Sequence, residues 1–315
     1  RVVMTGGNWV GERGRGAWRG LAGAPPGLFR HNGALVAVIV LAGLLLVYRR
    51  QWRGMIKGIG LGLVIWALVS GPVYTLARVK HVSNVLANTI LLHHFAAHVS
   101  AGTPLTDEER DYFNSLQPIS QWKYYCCNVS PLFFDPGFNQ SLFEANQDRH
   151  LRIFFDLLLR DPMVDVRHTL CSSGLVWKMC NDCSFLGPYI LPDRATFRWV
   201  EPNNLGLEQA SRLPGLVTPF ASAIVASSQP PWFSLVWSAA FYLLLALLGT
   251  LLFAIWHRKW SILLIGLAPV VQSATLFLIN ISNDFRYQYG VYLIGLYSIG
   301  MILLCLVQKG RDPQA

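Results

Sequence analysis

The residues best placed to do chemistry lie in the stretch Asn280-Ile-Ser-Asn-Asp-Phe-Arg-Tyr-Gln-Tyr, where Asp284 and Arg286 stand two apart between two long apolar runs. A guanidinium can grip a phosphate through two parallel hydrogen bonds. At the edge of a membrane, the anion within reach is a lipid-borne phosphate. Asp284, Arg286 and Tyr287 are therefore the candidate lipid-phosphate-binding residues. Arg and Tyr also anchor helices at headgroup level, and composition alone leaves that reading open.

A second group is His93, His94 and His98, within residues 82–99, which have an amphipathic helical pattern. His94 and His98 are four apart and share a face, a spacing that can hold zinc. The glutamate of a His-Glu-x-x-His metalloprotease is absent, because Phe95 follows His94. A third ligand is not evident from spacing. These histidines read as ordinary helix-face residues, and neither a metal nor a cofactor is expected. No catalytic residue is assigned.

Cys126, Cys127, Cys171, Cys180 and Cys183 all fall between two apolar zones, and Cys305 lies inside the last one. In an oxidising compartment the default for the five is structural disulfides, with one thiol left over and the pairing open. Asp107, Glu108, Glu109 and Asp111 cluster at a helix start, where they favour the helix dipole. Asn128 and Asn280 each open an Asn-x-Ser acceptor pattern.

The elements that must position these residues are mostly membrane-length runs. Residues 33–48, 58–77, 232–256, 260–281 and 287–307 are apolar and free or nearly free of charge. A membrane helix needs about 20 apolar residues, and a run apolar on all sides differs from a soluble amphipathic helix. The expectation is an all-α polytopic protein of about five spans. Residues 28–77 hold two of them and residues 232–307 three, with a tail at 308–315. Residues 78–231 between them form a mostly helical domain on or beside the membrane. Helix starts are marked by Thr106 with Glu109 and by Ser141 with Glu144. One helix is expected over 141–160, stopping at Asp161 because Pro162 follows. Residues 182–212 read as irregular, broken by Pro188, Pro192 and Pro202.

Composition agrees. Of 315 residues, 53% are hydrophobic and 14% charged, below the quarter or so usual for soluble domains. A disordered chain is excluded, since it needs low hydrophobicity and high charge. The net charge of +9 allows a nucleic-acid partner until its location is examined. Arg49, Arg50, Arg53 and Lys57 follow the first span, Arg258 and Lys259 the third, and Lys309 and Arg311 the last. If the spans alternate, all fall on one side, which the positive-inside rule makes cytoplasmic. Residues 78–231, with 12 basic and 14 acidic side chains, then face outward. The charge is a topology signal, and no nucleic-acid partner is expected. The basic segment 1–27 does not fit this pattern and reads as the edge of a longer chain.

Three stretches give a resemblance. Leu28-Phe-Arg-His-Asn-Gly33 opens a span; Leu159-Arg-Asp-Pro162 and Gly174-Leu-Val-Trp177 lie in the outer domain; Asn283-Asp-Phe-Arg-Tyr287 precedes the last helix. Together they resemble the C-terminal part of bacterial multi-pass proteins of the GT-C glycosyltransferase superfamily. The branch in question is similar to the dolichyl-phosphate-mannose:protein mannosyltransferase type. The resemblance implies an inverting sugar transfer from a polyprenyl-phosphate carrier at the outer face of the bacterial inner membrane. The partners it implies are membrane lipid and the polyprenyl-phosphate-linked sugar donor. It further implies a carboxylate general base on a first external loop, for which this sequence offers no counterpart. The alternative is a non-enzymatic envelope protein for assembly, transport or scaffolding, which an outer helical domain on membrane helices suits as well. Sugar, acceptor and oligomeric state are not set by these residues.

Overall fold

The computed structural model describes residues 31–78, 85–179, 213–227, 229 and 231–311. Segment 1–30, residues 180–212 with Cys180 and Cys183, and the tail from 312 lie outside the described residues. The expectations for them, including the irregular 182–212, are not addressed by the structure. Among the described residues the chain is all-helical, without strands; one isolated antiparallel bridge joins Asn128 and Ser282.

In chain order the main helices are α1 (His31–Val47), α2 (Trp52–Leu68), α3 (Val85–Ala101), α4 (Asp107–Leu116) and α5 (Gln140–Ala145). They continue as α6 (Gln147–Arg160), α7 (Pro162–Ser172), α8 (Pro214–Ser227), α9 (Ala239–His257), α10 (Leu263–Ile279) and α11 (Tyr289–Arg311). They fall into two compact units. One is drawn from Arg1–Asn88, Leu243–Ile279 and Gly290–Ala315, the other from Thr89–Tyr242 and Asn280–Tyr289.

The first unit is the apolar one. Among the described residues, four helical segments are long and apolar enough to cross a membrane: Arg49–Leu76, Ala239–His257, Trp260–Ile279 and Phe285–Leu304. The expected first span is a shorter apolar helix, α1. Of the basic residues expected in a connection after it, Arg49 and Arg50 lie there, between α1 and α2, while Arg53 and Lys57 lie inside α2. A 3-10 turn at Arg49–Gln51 runs straight into α2, which carries Arg53 and Lys57. No proline falls between Tyr48 and Lys57, and Arg, Gln and Lys are good helix formers. Pro72 lies in a π-helical turn, Val69–Val73, which takes up the missing donor.

Small residues set the packing of this unit. A Cβ added at Gly249 of α9 would lie 2.6 Å from Ser298 Cβ of α11. One at Gly266 of α10 would lie 2.9 Å from the Thr250 hydroxyl of α9, and one at Gly43 of α1 3.0 Å from Leu267. Close approach over small residues is how apolar helices gain contact where lipid removes the hydrophobic drive between them.

The second unit has an aromatic core. Phe95 of α3, Phe113 and Leu116 of α4, Phe143 of α5 and Leu157 of α6 are fully buried. Its local signals are mostly those of the sequence. Thr106 and Glu109 form the expected capping box of α4. Helix α6 ends at Arg160, and Pro162 starts α7 at a first-turn position. The predicted helix over 141–160 is in fact two. Its cap is Asn139, whose side chain accepts from Leu142 N at 3.0 Å, rather than Ser141. Asn146, with φ −113° and ψ 26°, divides α5 from α6, and its side chain bonds the Leu142 carbonyl at 2.8 Å. Such side-chain competition with the helical ladder is why Asn interrupts helices. The other expected outer helix, 82–99, is α3. Gly102, with φ +75°, closes it by letting Thr103 N reach the His98 carbonyl at 3.1 Å.

Candidate functional site

The segment Asn280–Tyr289 belongs to the second unit and is fastened there by its backbone. Val129 N donates to the Ile281 carbonyl at 3.0 Å, and Asn283 N to the Cys127 carbonyl at 2.8 Å. The buried Asn280 amide donates to the Ser172 carbonyl at the end of α7 and to Asn283 Oδ1. That amide is committed to the fold, so the Asn280 acceptor pattern marks an anchor and not an exposed modification site.

On this frame Asp284 caps a short 3-10 turn, Phe285–Gln288, by accepting from Arg286 N at 2.9 Å. The same carboxylate accepts from Arg286 Nε at 2.6 Å and Nη2 at 2.5 Å. Asp284 is thus a clamp that fixes the direction of the guanidinium. The Arg286 side chain nevertheless remains 73% exposed, against 16% for Asp284. Tyr287 is placed differently. Its ring packs against Leu175, Phe233 and Ala239, and Phe285 meets Trp237 edge-on at 5.2 Å. Of the three predicted residues, Arg286 is the exposed donor, Asp284 its holder and Tyr287 an apolar anchor.

The histidines are not ordinary helix-face residues. His93, His94 and His98 are all buried, the last completely. Asp165 and His168 of α7 meet them. Asp165 accepts from His94 Nδ1 at 2.6 Å and from His98 Nε2 at 2.9 Å. His98 Nδ1 pairs with the Thr103 hydroxyl at 3.0 Å, which the Gly102 turn delivers. His93 Nε2 donates to the Tyr125 carbonyl at 2.9 Å, and His168 Nδ1 meets the Tyr124 hydroxyl at 2.9 Å. The His168 ring stands edge-on to both His93 and His94, at 4.4 Å from each.

Burial decides the charges here. Desolvation holds His93 down to about 4, with His94 adding to the effect against the Tyr125 carbonyl. It holds His168 down to about 2, helped by the neighbouring histidines. Burial pushes the Asp165 carboxyl up, but the bonds from His94 and His98 outweigh this and bring it to about 2. At neutral pH His93 and His168 are uncharged and Asp165 is a carboxylate. Among the described residues no Lys or Arg pairs with Asp165.

Cys126, which follows Tyr124 and Tyr125 in the strip 124–129, is disulfide-bonded to Cys171 of α7. Cys127, itself disulfide-bonded, has its sulfur 3.8 Å from that of Cys126. Among the described residues these three sulfurs are the one set of three His, Cys, Asp or Glu donor atoms all within 4.8 Å of one another, and as disulfide sulfurs they are not thiolate ligands. The strip 124–129 therefore touches everything: histidines through Tyr124 and Tyr125, α7 through Cys126, and the Arg286 turn through Cys127 and Val129.

Asp165 and His168 escape a reading based on spacing, since 71 residues separate His94 from Asp165. The available signal is that Asp165 and His168 are three apart on a helix started by Pro162, so they share a face. Compared with known families, with characterised proteins and with solved structures, the chain shows no significant match.

Proposed function

We propose that this chain works in a membrane glycosyltransferase of the GT-C type, with Arg286 receiving the phosphate of a polyprenyl-linked sugar donor. The observation that carries the reading is that Arg286 is held in direction by Asp284 yet 73% exposed, at the head of the membrane-length segment Phe285–Leu304. In an inverting transfer an acceptor hydroxyl attacks the anomeric carbon. The bond from that carbon to the carrier phosphate breaks, the phosphate keeps the electron pair, and a base takes the hydroxyl proton. Negative charge grows on the departing phosphate. A preoriented guanidinium stabilises that charge more than it stabilises the bound donor, which is the condition for catalysis. Asp284 supplies the preorientation by accepting from Nε and Nη2, and the exposure of the side chain puts it within reach of a phosphate.

In this reading the second unit lies on the extracytoplasmic side of a bacterial inner membrane, where carrier-linked sugars are used. The test is a reconstituted transfer assay on the full-length protein with a polyprenyl-phosphate sugar. Arg286→Ala should abolish transfer while membrane insertion is unchanged. Transfer at the wild-type rate would remove Arg286 from the mechanism. Carrier binding without any turnover by the wild type would replace the enzyme with a lipid-binding envelope component.

A further inference from the structure

Helix α8 belongs neither to the Arg286 turn nor to the histidine cluster, and its composition sets it apart. From Leu213 to Trp256 the sequence has no Asp, Glu, Lys or Arg. Helix α8 opens this uncharged stretch, and the membrane-length segment Ala239–His257 fills its far end. The 14 residues of α8 rise about 21 Å, too little to cross a hydrocarbon core of about 30 Å. An apolar helix of this length is ordinarily a core helix or a segment at the membrane interface. The first does not apply, because α8 has no buried residue.

The side chains of α8 are sorted by face. Leu213, Leu216, Val217 and Phe220 stand at i, i+3, i+4 and i+7, and Ile224 four further on, which puts the large apolar groups on one side. Leu216 and Phe220 are 70% and 69% exposed. The other side carries Gly215, Thr218, Ser222 and Ala226, all small and uncharged. Pro219 lies on that side too. It has no N–H for the Gly215 carbonyl, so water or a headgroup must serve that oxygen. The C-terminal end of α8 is held. The Ser227 hydroxyl accepts from Trp237 Nε1 at 2.9 Å, and Trp237 packs on the Leu175, Phe233 and Ala239 cluster, where α9 begins.

We propose that α8 is an in-plane membrane helix, with its Leu216 and Phe220 face seated among phospholipid acyl chains in the leaflet where α9 begins. Continuity decides the occupant. The same uncharged stretch supplies a membrane-length helix, and Trp237, just before that helix, fixes the end of α8. A large apolar face tethered at the head of a span meets lipid first, while the small, hydroxyl-bearing side faces headgroups and water. Because α8 carries no charge, its seating depends on apolar burial and not on attraction to anionic lipid. The proposal requires α9 to enter a bilayer and is independent of glycosyl transfer.

The test places the whole chain in nanodiscs of zwitterionic phosphatidylcholine and irradiates the variant Phe220→p-benzoylphenylalanine. Mass spectrometry should find adducts of that side chain with phospholipid acyl chains, and high salt should not reduce them. Asp111→p-benzoylphenylalanine, at an exposed position of α4, should give such adducts only at background level. The wild-type chain supplies a second measurement that needs no substitution. Phosphatidylcholine carrying a diazirine within one acyl chain should mark α8 together with α9 on irradiation. Cross-links from position 220 to another part of this chain or to a second copy, lipid adducts lost in high salt, or diazirine marking of α9 without α8 would overturn the proposal.

Discussion

The backbone N–H of Asn283 donates to the Cys127 carbonyl at 2.8 Å, tying the turn that carries Arg286 to the strip that carries the Cys126–Cys171 disulfide. The residue next to Asn283 is Asp284, which holds the guanidinium. The direction of Arg286 thus depends on a short chain of contacts, and that chain includes a covalent bond between segments 45 residues apart in sequence.

Replacing Cys126 and Cys171 together by serine should therefore loosen the turn. Closing a loop of this length contributes about 4 kcal/mol by restricting the unfolded chain. The double variant should melt at a lower temperature than the wild type. Its amides at Val129 and Asn283 should exchange hydrogen faster. Unchanged exchange at both would show that the disulfide does not brace the turn.

Glu109 holds a second brace. It accepts from Arg160 Nη1 at 2.8 Å and Nη2 at 3.1 Å and also closes the Thr106 capping box. Burial raises its pKa, but the Arg160 and Thr106 bonds outweigh this and leave it below the usual range. Glu109→Gln keeps the shape and removes the charge. It should cost about 1–2 kcal/mol in chemical unfolding, through a half-satisfied Arg160. A variant as stable as the wild type at pH 7 would argue that the pair contributes nothing.

The buried histidines set a pH window. His93 and His168 have pKa values held down to about 4 and about 2 in the fold, against an ordinary value near 6.5. Between those limits the unfolded chain binds more protons than the folded one, so stability falls as pH drops below about 6.5. For His93 alone the loss by pH 4 is on the order of 3 kcal/mol. Asp165 and Glu109, both depressed, add to the loss only at lower pH, as their carboxylates protonate. Melting temperatures should decline steadily from pH 7 to 4. A flat profile would mean that the cluster is solvated or already protonated.

In the apolar unit, Gly249→Val should separate α9 from α11. Its Cβ would lie 2.6 Å from Ser298 Cβ and 3.3 Å from the Ser298 carbonyl oxygen. Backbone cannot give way as a flexible side chain can, so the expected cost is about 1–3 kcal/mol. Gly60, where an added Cβ meets nothing within 4 Å, is the control, and Gly60→Ala should be neutral or stabilising. Equal thermal stability of Gly249→Val and Gly60→Ala in detergent would contradict this packing.

Much of the architecture was legible where the physics is local. Apolar runs announce helices, Thr106 with Glu109 announces a cap, and Pro162 ends α6. Composition could not settle whether a run of basic residues breaks a helix. Arg49 and Arg50 lie in a short 3-10 turn between two helices, whereas Arg53 and Lys57 sit inside α2, because Arg and Lys are good helix formers and their aliphatic stems tolerate apolar surroundings. The Asn146 break was missed because it depends on one side chain capturing the Leu142 carbonyl, which a period-3.6 pattern does not register. Within the site, Arg286 and Asp284 could be found from their place between two apolar runs. The histidine cluster could not, because its partners Asp165 and His168 come from another helix. Only tertiary packing shows that His93, His94 and His98 share an environment with them.

The central claim is that Arg286 binds a lipid-borne phosphate, and direct binding tests it without requiring catalysis. The whole chain in detergent is titrated with polyprenyl phosphate, with the uncharged polyprenol as control. Wild type should bind the phosphate and discriminate strongly against the alcohol. Arg286→Ala should weaken phosphate binding roughly tenfold or more, as loss of a charge-assisted contact requires, and leave polyprenol binding unchanged. Equal phosphate affinity in wild type and Arg286→Ala would contradict the account.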